Sequence, residues 1–409
     1  MTRASRDQDG VARILAHVIS VPTLATFPVF LIGAYAPMMR DQLGMNPSQM
    51  GWAIAVFFTA SAATASSFGP MIDRFGPRLG MGVSCAISSG TLLATAVLVQ
   101  AAPALFVAFA AGGIANAFGQ LSSNLVLARH IDPARQGLLF GAKQASIPLS
   151  GLLAGASVPA LATTVGWRGA FAVGAISAGV VGLSIPSRLA QQGAILRGRP
   201  ASVWATMRGE VGFGALRVLA GASMIATAAA TALAVFLVDS AVHSGWSLSH
   251  AGILLALGNL LGIAARLAAG WTVDRRPSAV LRSVSVMMIA GALGYVLLAL
   301  GAVLPTAFVI GTALSFCGGW AWSGLMLFSA VREHPRVPAT ATGILSSSGA
   351  IGAVVGPVIF GSLVERTSYT IAWGSAAVML VVAAVLVSIA YSRYSRLRGT
   401  RGFGTATEP

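Results

Sequence analysis

The chain has 409 residues, of which 56% are hydrophobic and only 9% charged, with 48 glycines. A soluble globular domain carries about 25% charged residues, so the composition excludes a water-soluble fold and points to an all-α membrane protein. The formal charge of +15 would ordinarily suggest a nucleic-acid partner, but its placement along the chain gives it another meaning.

Crossing a hydrocarbon core of about 30 Å takes about 20 helical residues. Apolar runs of that length predict spans over 14–38, 47–69, 79–100, 103–128, 137–162 and 168–187. After a polar connection at 188–213, further spans are predicted over 214–239, 249–271, 279–302, 305–330, 339–363 and 370–392. Only Gln100 and Pro103 divide the third span from the fourth, and an odd count would put the termini on opposite faces. The basic residues decide between the counts. With twelve transmembrane helices, 21 arginines fall on the side of the termini and three, Arg40, Arg168 and Arg366, on the other. Lysine and arginine collect in cytoplasmic connections, so both termini are expected in the cytoplasm and the chain in the cytoplasmic (inner) membrane. The surplus charge then faces anionic lipids of the inner leaflet, and no nucleic acid is needed to account for it.

The long connection follows the sixth span, which invites a search for an internal repeat. A shift of about 201 lays G-P-M-I-D-R at 69–74 on G-W-T-V-D-R at 270–275, and Gly51 on Gly252; a shift of about 206 lays Gly137 on Gly343 and Trp167 on Trp373. The chain is therefore expected to be two pseudo-symmetric six-helix bundles. The first comprises 1–187, a cytoplasmic central loop 188–213, and the second bundle with a short cytoplasmic tail 214–409.

The stretch G-P-M-I-D-R-F-G-P-R at 69–78 resembles the G-x-x-x-D-R-x-G-R-R loop motif of the major facilitator superfamily, with Pro77 where a basic residue is expected. Its second copy keeps Gly270, Asp274 and Arg275. The resemblance implies that Gly69, Asp73, Arg74, Gly76, Arg78 and Arg129, together with Asp274 and Arg275, form a gating cluster at the cytoplasmic ends of the helices. Physical chemistry supports a partner for Asp73: a carboxylate at a helix C-terminus is unfavourable against the helix dipole. The alternative is a tight turn with solvated charges. A finer likeness, carried by F-G-A-K-Q-A-S-I-P-L-S-G at 140–151 and V-G-W-R-G-A-F at 165–171, is to the bacterial permease group that includes cyanate and nitroimidazole transporters.

Transporters of this kind bind substrate between their halves near the bilayer midplane, so polar residues deep in spans are the candidates. Asn116, Gln120 and Asn124 recur every four residues and share one face of the fourth span. They can line a cavity or bond neighbouring helices. Lys143, the single lysine, lies about 9 Å into the fifth span at 1.5 Å per residue, with Ser146 and Ser150 on the same face; it can reach a cavity or snorkel to the interface. Arg266 and Asn259 share a face of the eighth span, and Trp320 and Trp322 lie near the middle of the tenth. Thr23, Thr26 and Tyr35 are weaker candidates. Among the acidic residues only Asp239 falls within a span, near its outer end.

Unbalanced positive charge inside the spans favours an anionic small-molecule substrate, contacted by Lys143, Arg266, Gln120, Asn116, Asn259 and Trp320. The competing expectation is a drug or metabolite efflux antiporter with a largely apolar cavity. No nucleophile–base pair, metal-ligand spacing or cofactor motif is present, so neither an enzyme nor a metal or cofactor is expected. A monomer is the expected state.

Overall fold

The computed structural model describes residues 3–130, 143–190, 210, 212–275, 280–301 and 303–402. Among these the chain is almost entirely helical. Helix α1 (Arg3–Ala34) turns at Tyr35 into a short α2 (Ala36–Leu43), which Gly44 closes in the left-handed conformation (φ 63°). Then follow α3 (Pro47–Phe75), α4 (Pro77–Leu98), α5 (Ala102–His130), α6 (Ser146–Leu161) and α7 (Gly166–Leu183). The second part of the chain holds α8 (Phe213–His243), α9 (Leu248–Arg275), α10 (Val280–Ala299), α11 (Pro305–Leu314), α12 (Ser323–Glu333), α13 (Pro338–Arg366) and α14 (Tyr369–Gly402).

Ten of the described helical stretches are long and apolar enough to cross a membrane, and Ser146–Leu161 is a shorter apolar helix. The helices fall where the apolar runs predict them, because in lipid a helix is the structure that satisfies every backbone group internally. Their lengths run past several predicted ends: α1, α3 and α14 all continue well into polar sequence. Many apolar side chains point outward, Ile176, Val180, Leu183 and Val378 among them, as a lipid-facing surface requires.

Two departures from the predicted spans have local causes. Gly76 alone separates α3 from α4, with φ 87°, and Pro77 opens α4 at its first turn. A positive φ suits glycine, and proline is pre-shaped for the first helical position. Pro77 thus starts a helix where the motif carries a basic residue. The tenth span is not one helix: a π-helical segment, Ser315–Trp320, separates α11 from α12. It coincides with Gly318 and Gly319, whose backbone lies so close to Gly291 of α10 that a Cβ there would meet main chain. Such π-bulges are concentrated at functional sites.

Contacts divide the chain into two compact units. The first comprises Met1–Leu196 with Ala234–Leu260 and Pro357–Glu365. Its helices meet through glycine. A Cβ on Gly33 would come within 2.5 Å of the Ala234 carbonyl, and one on Gly155 within 2.6 Å of the Gly252 carbonyl. Gly51 sits against Pro357 and Gly361 against Pro47 in the same way. Small residues let backbones approach where lipid removes the hydrophobic drive for helix association. Gly166 (φ 65°) opens α7, and Arg168 donates to the Ala96 and Val99 carbonyls at the end of α4 (2.9 and 3.0 Å).

The second unit comprises Arg197–Leu233, Leu261–Gly356 and Arg366–Pro409. Gly352 and Gly356 of α13 lie against the backbone of Met224 and Ala228. Tyr295 stacks on Trp373 with ring centroids 5.7 Å apart and donates to the Ala229 carbonyl at 3.0 Å. His334, just past α12, is buried and lies 2.9 Å through Nε2 from the Tyr394 hydroxyl of α14.

Candidate functional site

The polar residues singled out in the first unit come together as a connected chain of hydrogen bonds. Lys143, 4% exposed, stands just before α6, and its Nζ donates to Oε1 of Gln120 on α5 at 2.5 Å. One turn earlier on the same helix, Asn116 Oδ1 faces Gln120 Nε2 at 3.5 Å, a long contact, and accepts from Thr26 Oγ1 of α1 at 3.2 Å. Asn116 Nδ2 donates to Ser61 Oγ of α3 at 2.9 Å. Thr26 has a single hydroxyl proton, shared with the Pro22 carbonyl at 2.8 Å. Three helices of the first unit, α1, α3 and α5, and the segment before α6 thus converge on one polar thread, and α5 contributes its two amides because positions four apart lie above one another on a helix.

Lys143 stands at the end of this thread. Among the described residues no carboxylate lies within ion-pairing distance of it; the single ion pair there is Arg40 with Asp239. A buried ammonium whose partner is a neutral amide is costly.

The remaining sequence candidates are distributed differently. Ser150 is buried and donates to the Thr23 carbonyl of α1 at 2.6 Å, so it joins two helices instead of lining a cavity. Ser146 is likewise fully buried. Asn259 is 0% exposed; its amide nitrogen donates to its own helix at Leu255 (2.8 Å), and its side chain packs on Gly151 of α6. It fills a helix crossing in the first unit. Arg266 and Trp320 belong to the second unit, where Arg266 Nη2 donates to the Trp320 carbonyl at 3.1 Å. That carbonyl closes the π-helical segment, where the regular ladder is interrupted and an oxygen is available. Trp320 stacks on Phe316 at 5.9 Å, while Trp322 is buried and bonds the Gly319 carbonyl at 2.7 Å. Tyr35 meets Ser157 at 3.1 Å.

Of the motif residues, Gly76 forms the turn already described and Arg78 is exposed on the first turn of α4. Gly69, Asp73 and Arg74 lie in the last turns of α3, Arg129 at the end of α5, and Asp274 and Arg275 at the end of α9; their side chains lie outside the described residues.

Sequence reasoning missed two features. Asp239 of α8, 5% exposed, is held by Arg40 of α2 at 2.6 Å; the oddity of one acidic residue inside a span was the available signal. Ser61 carried no signal, since a lone serine among alanines reads as helix packing.

Helices that can cross a bilayer, a glycine-mediated packing and a buried cationic thread define a polytopic membrane transporter. The chain belongs to the Major Facilitator Superfamily, whose pattern it matches over residues 19–334. It is 28% identical to the uncharacterized MFS-type transporter MT3072 of Mycobacterium tuberculosis strain CDC 1551, over 94% of this chain and 87% of that one. It is 27% identical to the uncharacterized MFS-type transporter Rv2994 of strain H37Rv, with the same coverage. Among solved structures it is similar to the nucleoside transporter NupG (TM-score 0.70, 16% identity, 93% of this chain and 98% of that one). A bacterial homologue of the human lysosomal transporter Spinster, in an inward-facing and unoccupied conformation, matches with TM-score 0.65 and 15% identity over 94% and 96% of the two chains. At these identities the two solved structures speak for the fold.

Proposed function

We propose that this chain is a monomeric secondary transporter that moves a small organic or inorganic anion across the cytoplasmic membrane by rocker-switch alternating access. Both termini lie in the cytoplasm, and 1–187 and 214–409 act as the two halves, joined by 188–213. The observation that carries the reading is Lys143, a buried cation whose hydrogen-bond partner is the neutral Gln120. An anion bound at this point would supply the missing counter-charge and lower the cost of burying both groups. Asn116 and Gln120 would hold the substrate's polar edge, and the D-R motif residues would set the conformational equilibrium.

The test is uptake into proteoliposomes across acetate, nitrate, cyanate, uridine and a cationic dye. Uptake of at least one anion that Lys143→Gln abolishes is the expected result. Uptake of uridine or export of the dye, with Lys143→Gln unchanged, would replace this reading by a neutral-substrate carrier or an efflux antiporter.

A further inference from the structure

The thread from Lys143 to Ser61 has a fixed direction. An ammonium can only donate, so the Gln120 amide must turn its oxygen to Lys143, as it does. Its NH2 is thereby left for Asn116, whose oxygen faces it, and the Asn116 NH2 is left for Ser61. Each amide is oriented by the one before it, and reversing either would place two donors or two acceptors against each other. At the far end Ser61 Oγ accepts from Asn116, so its own proton must go elsewhere. Among the described residues that proton has no acceptor: Ser61 bonds Asn116 alone, whereas Thr23, Thr26, Ser150 and Ser157 each donate to a backbone carbonyl. Ser61 is half-buried.

We infer that Ser61 is a substrate-binding residue, an oxyanion donor whose hydroxyl is turned outward by the Lys143–Gln120–Asn116 thread. This rests on the anion reading above and extends it. An anion's oxygen at the Ser61 end of the thread would be met by the Ser61 O–H as donor. Polarisation along the thread strengthens the terminal donor. Discrimination against ligands that offer a donor comes from Lys143, whose ammonium can only donate.

Binding of acetate and nitrate to the purified protein, followed by calorimetry, tests the inference. Ser61→Ala is expected to bind either anion about tenfold more weakly, the change that loss of a hydrogen bond to a charged group produces. Ser61→Cys, which keeps the volume but donates weakly, should fall similarly and guards against a packing effect of the alanine. Ser61→Thr, which keeps the donor, should bind within about twofold of the wild type. Wild-type binding with Ser61→Ala and Ser61→Cys unchanged overturns the role of Ser61 and leaves the anion reading standing. Absence of any anion binding by the wild-type protein overturns both.

Discussion

Arg40 and Asp239 are 199 residues apart in sequence, and their side chains meet at 2.6 Å in the first unit. Asp239 is 6% exposed in its side chain and Arg40 28%, so the carboxylate is the desolvated partner. Its position on α8, among segments that pack with α1 to α7, ties the start of that unit to a helix from far along the chain. Removing the arginine takes the ion-pair partner from a buried carboxylate; removing the carboxylate leaves an arginine that reaches solvent.

The two halves of this pair should therefore respond unequally. Arg40→Gln is expected to cost about 3 kcal/mol, the low end for breaking a buried pair. Asp239→Asn should cost less, about 1 kcal/mol, because Arg40 can turn to solvent. Melting of the detergent-purified variants reads the difference. Equal melting temperatures for both variants and the wild type would show that the pair contributes nothing.

Glycine contacts give a second set of outcomes. Gly33→Ala places a methyl within 2.5 Å of the Ala234 carbonyl, while Gly82→Ala meets nothing within 4 Å. Overpacking costs about 1–3 kcal/mol, so Gly33→Ala should melt lower and Gly82→Ala should be neutral or slightly stabilising. Gly291→Ala, against Gly318 and Gly319, should behave like Gly33→Ala and report on the π-helical segment. A melting series of the three single variants suffices.

Acid should weaken the second unit through His334. Burial pushes its pKa below the usual histidine value, and the charge of Glu210 partly offsets this. The unfolded chain then binds the proton more readily than the folded one. Stability from this site is present above the unfolded value of about 6.5 and is lost as pH falls through it towards the folded value. His334→Gln should flatten the slope of melting temperature against pH between about 7 and 5. An unchanged slope would assign the acid sensitivity to other groups.

Much of the fold can be read from the chain because lipid leaves the backbone few choices: α4, α7 and α10 begin and end within a few residues of the apolar runs. The spacing of Asn116 and Gln120 shows their shared face, and Lys143 stands out by its chemistry. The break at Ser315–Trp320 is hidden, since hydropathy is blind to a change from α to π hydrogen bonding. Ser150 looks like a cavity residue because a polar side chain in a span demands a partner, yet a neighbouring carbonyl supplies one as well as a substrate does. Side-chain type reveals the demand, and only the packing reveals who meets it.

The close contacts of the first unit at Gly33, Gly51, Gly155 and Gly361 are glycine against carbonyls whose hydrogen bonds already belong to their own helices. Parting such surfaces would orphan no backbone donor, because each carbonyl keeps its bond within its own helix. They meet like polished faces, held by shape where glycine lets one backbone lie against another.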